Sequence, residues 1–268
     1  MPFYESFDKK ELIAAHRGWR TIRPENTIAA FEAAVGHFDF IELDLQLTKD
    51  DVFIVMHDAS LERTTDAALK FPNRKAPYLV ADFTLEEIER LDAGSWFLKS
   101  DPFGSVANGR VDPKSLDSPK SRKIPTLQET LRFGAAFNMP LNLEIKRMPH
   151  RSCEEGAKIF LKELEEFGST VTVLVSSFDH SYIKRIKEEA AQTATAALFA
   201  KSLPSNLEGY LLNLKAEACH AETALAPEVP VSKLLKKGIS SALYTVNDKN
   251  LRKELFRRGF RALFADEP

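Results

Sequence analysis

The sequence predicts an α/β chain closed as a (β/α)8, or TIM, barrel with a small irregular insertion after the second strand. Three observations predict it. Short apolar runs of strand length alternate with amphipathic stretches of helix length through most of the 268 residues. About eight such strands can be counted, most followed by a helix, as a closed barrel requires. No glycine-rich dinucleotide fingerprint supports the alternative, an open doubly wound sheet. We therefore expect one barrel domain over residues 1–268, carrying an insertion at about 59–123.

The first strand, Glu11 to Ala15, is short and delivers His16 at its C-terminal end, and Gly18 then lets the backbone turn tightly. Pro24-Glu25-Asn26-Thr27 opens a helix from Thr27 to about Val35, with Ile28, Phe31 and Val35 on one stripe and Asn26 as the candidate cap. Phe38 to Leu47 reads as the second strand. Lys49-Asp50-Asp51 makes a hairpin turn, and Val52 to Met56 runs back to His57-Asp58.

From Ala59 to about Lys123 prolines and glycines break the pattern. Only Thr84–Leu91 reads as a helix there, with Thr84 capping and Glu87 three residues on. So long a stretch is too much for a plain loop and is expected to lie over one mouth of the barrel. Alternation then resumes. Helices are predicted at Leu127–Phe137, Cys153–Phe167, His180–Ala190, Ser232–Lys237 and Asp248–Arg258, the last two ended by Gly238 and Gly259. Strands are predicted at Pro140–Lys146, Val171–Val175, Ala194–Phe199, Cys219–Leu225, Ser241–Val246 and Arg261–Ala265.

Composition excludes several functions. With 44% hydrophobic and 28% charged residues the chain can bury a large core, and a net charge of −2 offers no basic stripe for nucleic acid and no polybasic membrane anchor. No apolar run is long enough to span a bilayer, and the N-terminus lacks the apolar region of a signal peptide. Cys153 and Cys219 lie far apart without partner spacing, so reduced thiols and a cytoplasmic location are expected.

Chemistry gathers in two strands. In Ile41-Glu42-Leu43-Asp44-Leu45 the carboxylates share one face and the apolar residues the other. In Leu141-Asn142-Leu143-Glu144-Ile145-Lys146 the same alternation puts Asn142, Glu144 and Lys146 together. Adjacent carboxylates repel and are costly to desolvate, so this face calls for a cation. Active sites of barrels form at the C-terminal ends of the strands, which would bring Glu42, Asp44, Glu144 and Lys146 inward near that rim, with His16 and His57 beside them. Three carboxylates suit one hard divalent cation, Mg²⁺ or Ca²⁺, whereas Zn²⁺ would favour His or Cys.

An ordered set of motifs goes further: HRG at His16–Gly18, PENT at Pro24–Thr27, ELD at Glu42–Asp44, HD at His57–Asp58, LEIK at Leu143–Lys146. LDAGSWF, IPTLQETL, SSF, YTVN and the final ADEP follow. In this order, and over nearly the whole chain, they resemble the glycerophosphodiester phosphodiesterases. The resemblance implies the same barrel with an insertion, a small glycerophosphodiester as substrate, and Glu42, Asp44 and Glu144 as metal ligands. The chain departs from the family at Ala67–Ala81, which has no Asn-Gly turn after Thr64-Thr65-Asp66. Lys99–Arg122 also looks extended, and Tyr244 stands where the family more often has Trp.

The implied reaction is attack of the glycerol 2-hydroxyl on phosphorus, giving a cyclic phosphate that water then opens. By analogy with bacterial phosphatidylinositol-specific phospholipases, His16 is assigned as base and His57 as acid, with Arg17 and Lys146 on the phosphoryl oxygens. Tyr244 is expected to line the mouth. Glu25, Asn26 and Asp58 are expected to orient other groups or make turns, and Trp96 and Phe97 either to cover the alcohol or to anchor the insertion. His37, His150, His180 and His220 are taken as structural or solvent-facing. The alternatives on the same sequence are a lysophospholipase D or related phospholipase, which would want an exposed apolar rim, and a non-catalytic phosphodiester-binding module, which should have lost a histidine or an acid. None is missing.

Overall fold

The structure is a computed structural model and describes residues 2–168 and 170–268. Among the described residues nine strands are formed: β1 (Leu12–His16), β2 (Phe40–Leu47), β3 (Phe53–Val55), β4 (Leu141–Ile145), β5 (Val173–Ser177), β6 (Ala194–Phe199), β7 (Ala218–Glu222), β8 (Ser240–Tyr244) and β9 (Ala262–Ala265). Eight are parallel and close a ring in the order β1-β2-β4-β5-β6-β7-β8-β9, with β9 back beside β1. β3 lies outside the ring, antiparallel to β2, as the return limb of the expected hairpin. The fold is the TIM barrel that the sequence predicts.

Interior and exterior sort by parity. Leu12 and Ala14, Phe40, Leu174, Ala194 and Ala196, Ala218, Ala242, and Ala262 and Phe264 form one buried interior cluster. Their odd-numbered neighbours on β2, β4, β7 and β9 pack instead with the surrounding helices. Strands of a parallel barrel are buried on both faces, which is why most of them read as continuous apolar runs. Alanines on β6 to β9 leave room at the N-terminal ends of the strands. A short 3-10 turn, Phe3–Ser6, fills it: Phe3 meets Phe40 edge-on at 5.3 Å, and the Tyr4 hydroxyl bonds His220 Nε2 at 2.8 Å. His220 is thus a fully buried strand residue, not a helix or loop residue, and burial depresses its pKa to about 3, keeping it neutral. The role expected of it, structural, stands.

The helices fall close to their predicted bounds, and the Leu127–Phe137 and Cys153–Phe167 helices match them. The first helix, Ile28–Ala34, is capped by Thr27, whose side chain accepts from Ala30 N; Asn26 has a positive φ and faces the barrel. One helix, Leu207–Leu214, is not predicted. Pro204 before it and Gly209 inside it blur its periodicity, and its N-cap, Asn206, accepts from Gly209 N. Between β3 and the Leu127–Phe137 helix, the insertion contains four short α-helices rather than one, Ala67–Lys70, Leu85–Ile88, Ser95–Ser100 and Pro119–Arg122, with 3-10 turns at Val80–Asp82 and Pro113–Leu116. The predicted capping box of Thr84 and Glu87 is present on the second. Helices of four to six residues are too short to show an apolar period, so the sequence pattern passes over the other three. The insertion has its own apolar centres, one around Phe83, Ile88 and Leu91 and another around Phe97, Val111 and Leu116. Among the described residues no helix is long and apolar enough to cross a membrane.

Candidate active site

Strand register brings the acids together. Asp44 on β2 stands opposite Glu144 on β4, and Glu42 stands one step deeper, between His16 on β1 and Asn142 on β4. Glu42, Asp44 and Glu144 each present an oxygen within 4.8 Å of the others, and all three are buried. Lys146 Nζ lies 2.7 Å from Asp44 Oδ1 and also bonds Glu144. Arg17 donates its backbone N–H to Glu42 Oε2 at 3.0 Å and holds its guanidinium Nε 3.3 Å from Asp44 Oδ2, while Asn26 Nδ2 donates to the same oxygen at 2.9 Å.

These contacts divide the carboxylates. Burial pushes Asp44 up, but the Lys146 and Arg17 charges more than offset it and hold Asp44 ionised far below the usual range. Glu42 goes the other way: burial, then the charges of Asp44 and Glu144, raise it well above its ordinary value. Burial also raises Glu144 despite the Lys146 ammonium beside it. Three crowded oxygen donors, two of them pushed toward protonation by burial, fit a hard divalent cation.

His16 ends β1 with its Nδ1 2.9 Å from Asp266 Oδ1, just past β9. Asn247 Nδ2 donates to the other Asp266 oxygen at 2.8 Å. Burial works against the Asp266 charge, but the His16 hydrogen bond leads the groups that hold its pKa at about 2. A carboxylate accepting from Nδ1–H fixes the tautomer and leaves Nε2 with its lone pair. Burial, the largest influence on His16, lowers its pKa below the ordinary 6.5.

His57 does not end a barrel strand. It follows β3, and the bond from Met56 N to Asp44 O draws that strand's exit against the acid cluster. Its backbone carbonyl accepts from Gln46 Nε2 at 3.2 Å, and its Nδ1 lies 2.6 Å from Asp58 Oδ1. Asp58 Oδ2 in turn accepts from Arg63 Nε at 2.6 Å. The hydrogen bond from His57 is the largest influence on Asp58 and lowers its pKa. The two histidines therefore share one design, a carboxylate behind each Nδ1.

The remaining expected residues sort as follows. Arg17 has a φ of 61°, and its Nη1 donates to Glu25 Oε1 at 2.9 Å. Its guanidinium thus engages acids, although its Nε is buried without a hydrogen-bond partner. Tyr244 donates its hydroxyl to Phe199 O at 2.7 Å and meets Phe178 edge-on at 6.0 Å, so its ring lines the cavity above His220 and Phe264. Asn26 and Asp58 orient other groups, as expected, and so does Glu25, which binds Arg17, Arg20 and Arg63. Phe97 is fully buried within the insertion and anchors it. Sequence reading missed Arg63, Asp266 and the Asn142–Ser176 bond of 2.9 Å. Asp266 stood in the quoted ADEP motif without a role, and Arg63 lay in the part of the chain with no period to read.

Residues 16–268 match the sequence profile described as the Glycerophosphoryl diester phosphodiesterase family. The chain is 31% identical over 264 residues to a glycerophosphodiester phosphodiesterase of Caldanaerobacter subterraneus, spanning 97% of this chain and 95% of that one. It is 31% identical over 265 residues to one of Bacillus subtilis, spanning 96% and 84%. The solved structure of an Oleispira antarctica phosphodiesterase in complex with the product sn-glycerol-3-phosphate matches with a TM-score of 0.80 at 25% identity, over 100% of this chain and 96% of that one.

Proposed function

The chain belongs to the glycerophosphoryl diester phosphodiesterase family, and on that premise we propose that it hydrolyses glycerophosphodiesters to sn-glycerol 3-phosphate and an alcohol. One observation carries the reading: His16 and His57, each backed by a carboxylate at Nδ1, stand against a buried cluster of three acids. Glu42, Asp44 and Glu144 would hold one divalent cation, Mg²⁺ or Ca²⁺, which when bound supplies charge stabilisation at the phosphoryl oxygens.

In the first half of the reaction, His16 Nε2 takes the proton of the glycerol 2-hydroxyl as its oxygen bonds phosphorus. The bond to the alcohol oxygen breaks, and His57 gives that oxygen a proton. The product is a cyclic 2,3-phosphate. In the second half water attacks phosphorus, the bond to the 2-oxygen breaks, and each histidine reverses its part. Burial favours neutral His16, as a base requires, and Asp58, 2.6 Å from Nδ1, orients the His57 ring so that Nε2 can face the leaving oxygen. Lys146 and Arg17 add positive charge beside the reacting phosphate. A cytoplasmic setting fits two free cysteines whose thiols burial pushes up. The test is release of sn-glycerol 3-phosphate from several glycerophosphodiesters, with EDTA and metal add-back. No release from any of them with either metal would overturn the reading.

A further inference from the structure

Two spaces meet at the acid cluster, and both touch Glu144 and Phe178. One is a small cavity of about 30 Å³ inside the barrel, walled by His16, Asn142, Ser176 and Tyr244. The other is an open groove of about 730 Å³ that starts at Glu144 and Lys146 and runs outward between the His180–Glu189 and Leu207–Leu214 helices. A phosphodiester has two unequal ends. The small enclosed space suits the invariant glycerol end, and the large open one suits the alcohol.

The charges along the groove are not balanced. At its inner end Lys146 is paired with Asp44 and Glu144. Farther out, Arg147 and Lys184 line it, both are exposed, and neither has an ion pair among the described residues. The one acid on that outer wall, Asp179, accepts from Ser181 N at 3.2 Å and caps its own helix. His180 has both ring nitrogens engaged, Nδ1 with the Tyr210 hydroxyl at 2.8 Å and Nε2 with Leu198 O at 2.9 Å. The groove therefore offers two uncommitted cations to whatever leaves.

Resting on the function proposed above, we propose that this groove holds the leaving alcohol and that Arg147 and Lys184 select diesters whose alcohol carries a second anionic group, such as a phosphorylated polyol. Both cations sit on exposed chain, so their removal should not disturb the barrel. A quaternary ammonium alcohol would meet Phe178, which is 46% exposed, but the two cations would repel it.

The experiment compares kcat/KM of the metal-loaded enzyme on glycerophosphoinositol 4-phosphate, glycerophosphoinositol and glycerophosphocholine. It uses the wild type and the double variant Arg147→Gln/Lys184→Gln. The 4-phosphate should be preferred over its unphosphorylated partner by about five- to tenfold, as two exposed ion pairs allow. The preference should shrink with added salt and vanish in the double variant, with the rate on glycerophosphoinositol within about twofold of wild type. No preference, a preference for the choline diester, or an undiminished preference in the variant overturns the proposal. Calorimetric binding of inositol 4-phosphate, lost in the variant, tests the groove apart from turnover. If that binding is present while no diester is cleaved, the proposed function fails and the groove assignment stands; if it is absent, the groove assignment fails.

Discussion

Arg63, from the insertion, donates to the buried carboxylate of Glu25 at 2.7 Å. The same guanidinium holds Asp58, and Asp58 holds His57, while Glu25 also binds Arg17, which leans on Asp44. One residue of the insertion is thereby connected to both sides of the candidate centre. Arg63→Ala should lower kcat more than it raises KM, by about tenfold, because a positioned proton carrier would lose its orienter. Stability should fall by only about 1 kcal/mol, since Arg63 is partly exposed and Glu25 keeps Arg17 and Arg20. Arg63→Lys should not restore the rate, because an ammonium cannot span Glu25 and Asp58 as a planar fork does. Wild-type kinetics in either variant would remove the insertion from the centre.

The raised Glu42 gives a pH dependence with a definite sign. A carboxyl whose folded pKa lies above its unfolded 4.5 binds more protons in the folded state, so Glu42's contribution to the stability of the metal-free protein should fall as pH rises from about 4.5. Glu42→Gln should flatten that slope in thermal melts at several pH values and raise the melting temperature at pH 7–8. It should also weaken Mg²⁺ or Ca²⁺ binding measured by titration calorimetry. Chelation should abolish wild-type turnover and either metal should restore it. Full turnover after EDTA and exhaustive dialysis would reject the metal.

The insertion is folded around residues of its own. Leu116 and Val111 are buried against Phe97, and Arg122 ties Asp92 at 2.6 Å. Leu116→Ala should cost about 2–4 kcal/mol in denaturant unfolding, as for other buried leucines. A loss below about 0.5 kcal/mol would show that this part of the chain is not cooperatively folded with the barrel.

What could be read from the sequence followed from period and spacing. Alternation at Glu42, Leu43 and Asp44 sets the face, and the parity of β2 and β4 carries that face inward, so the acid cluster is legible in the sequence. The barrel was legible for the same reason. Partners supplied by distant chain were not. Asp266 reaches His16 across 250 residues, Arg63 comes from a stretch without period, and the pairing of Tyr4 with His220 needs the closed ring to exist first. Of the two readings of Asn26 only the cap fails, because a cap and a residue aimed at Asp44 look alike in sequence; Thr27 is the cap, and Asn26, at positive φ, orients Asp44.

Asp266 offers a direct check on the base. Its hydrogen bond and charge raise the His16 pKa, while burial, the larger influence, lowers it. A base acts when deprotonated, so the acid limb of kcat/KM should lie below pH 6.5. Asp266→Asn should move that limb to lower pH and reduce the plateau, because an amide can fix the wrong tautomer. A limb moved to higher pH would mean that His16 is not the group titrating.

The division of labour between the histidines can be separated chemically. Removing either should lower the rate on a natural diester by about 10²–10⁴-fold, the span usual for general acid–base catalysis. Substrate binding should survive, because Arg17 and Lys146 remain with the acid cluster. A diester with p-nitrophenolate as leaving group departs with little protonation. His57→Ala should therefore be rescued on that substrate far more than His16→Ala, whose attacking hydroxyl still needs a base. Their surroundings agree with that order: the His16 side chain is 16% exposed and desolvation lowers its pKa, whereas the His57 side chain is 34% exposed and rests on an ionised Asp58. Equal rescue of the two variants would reject the order, and a wild-type rate in either would remove that histidine from the reaction.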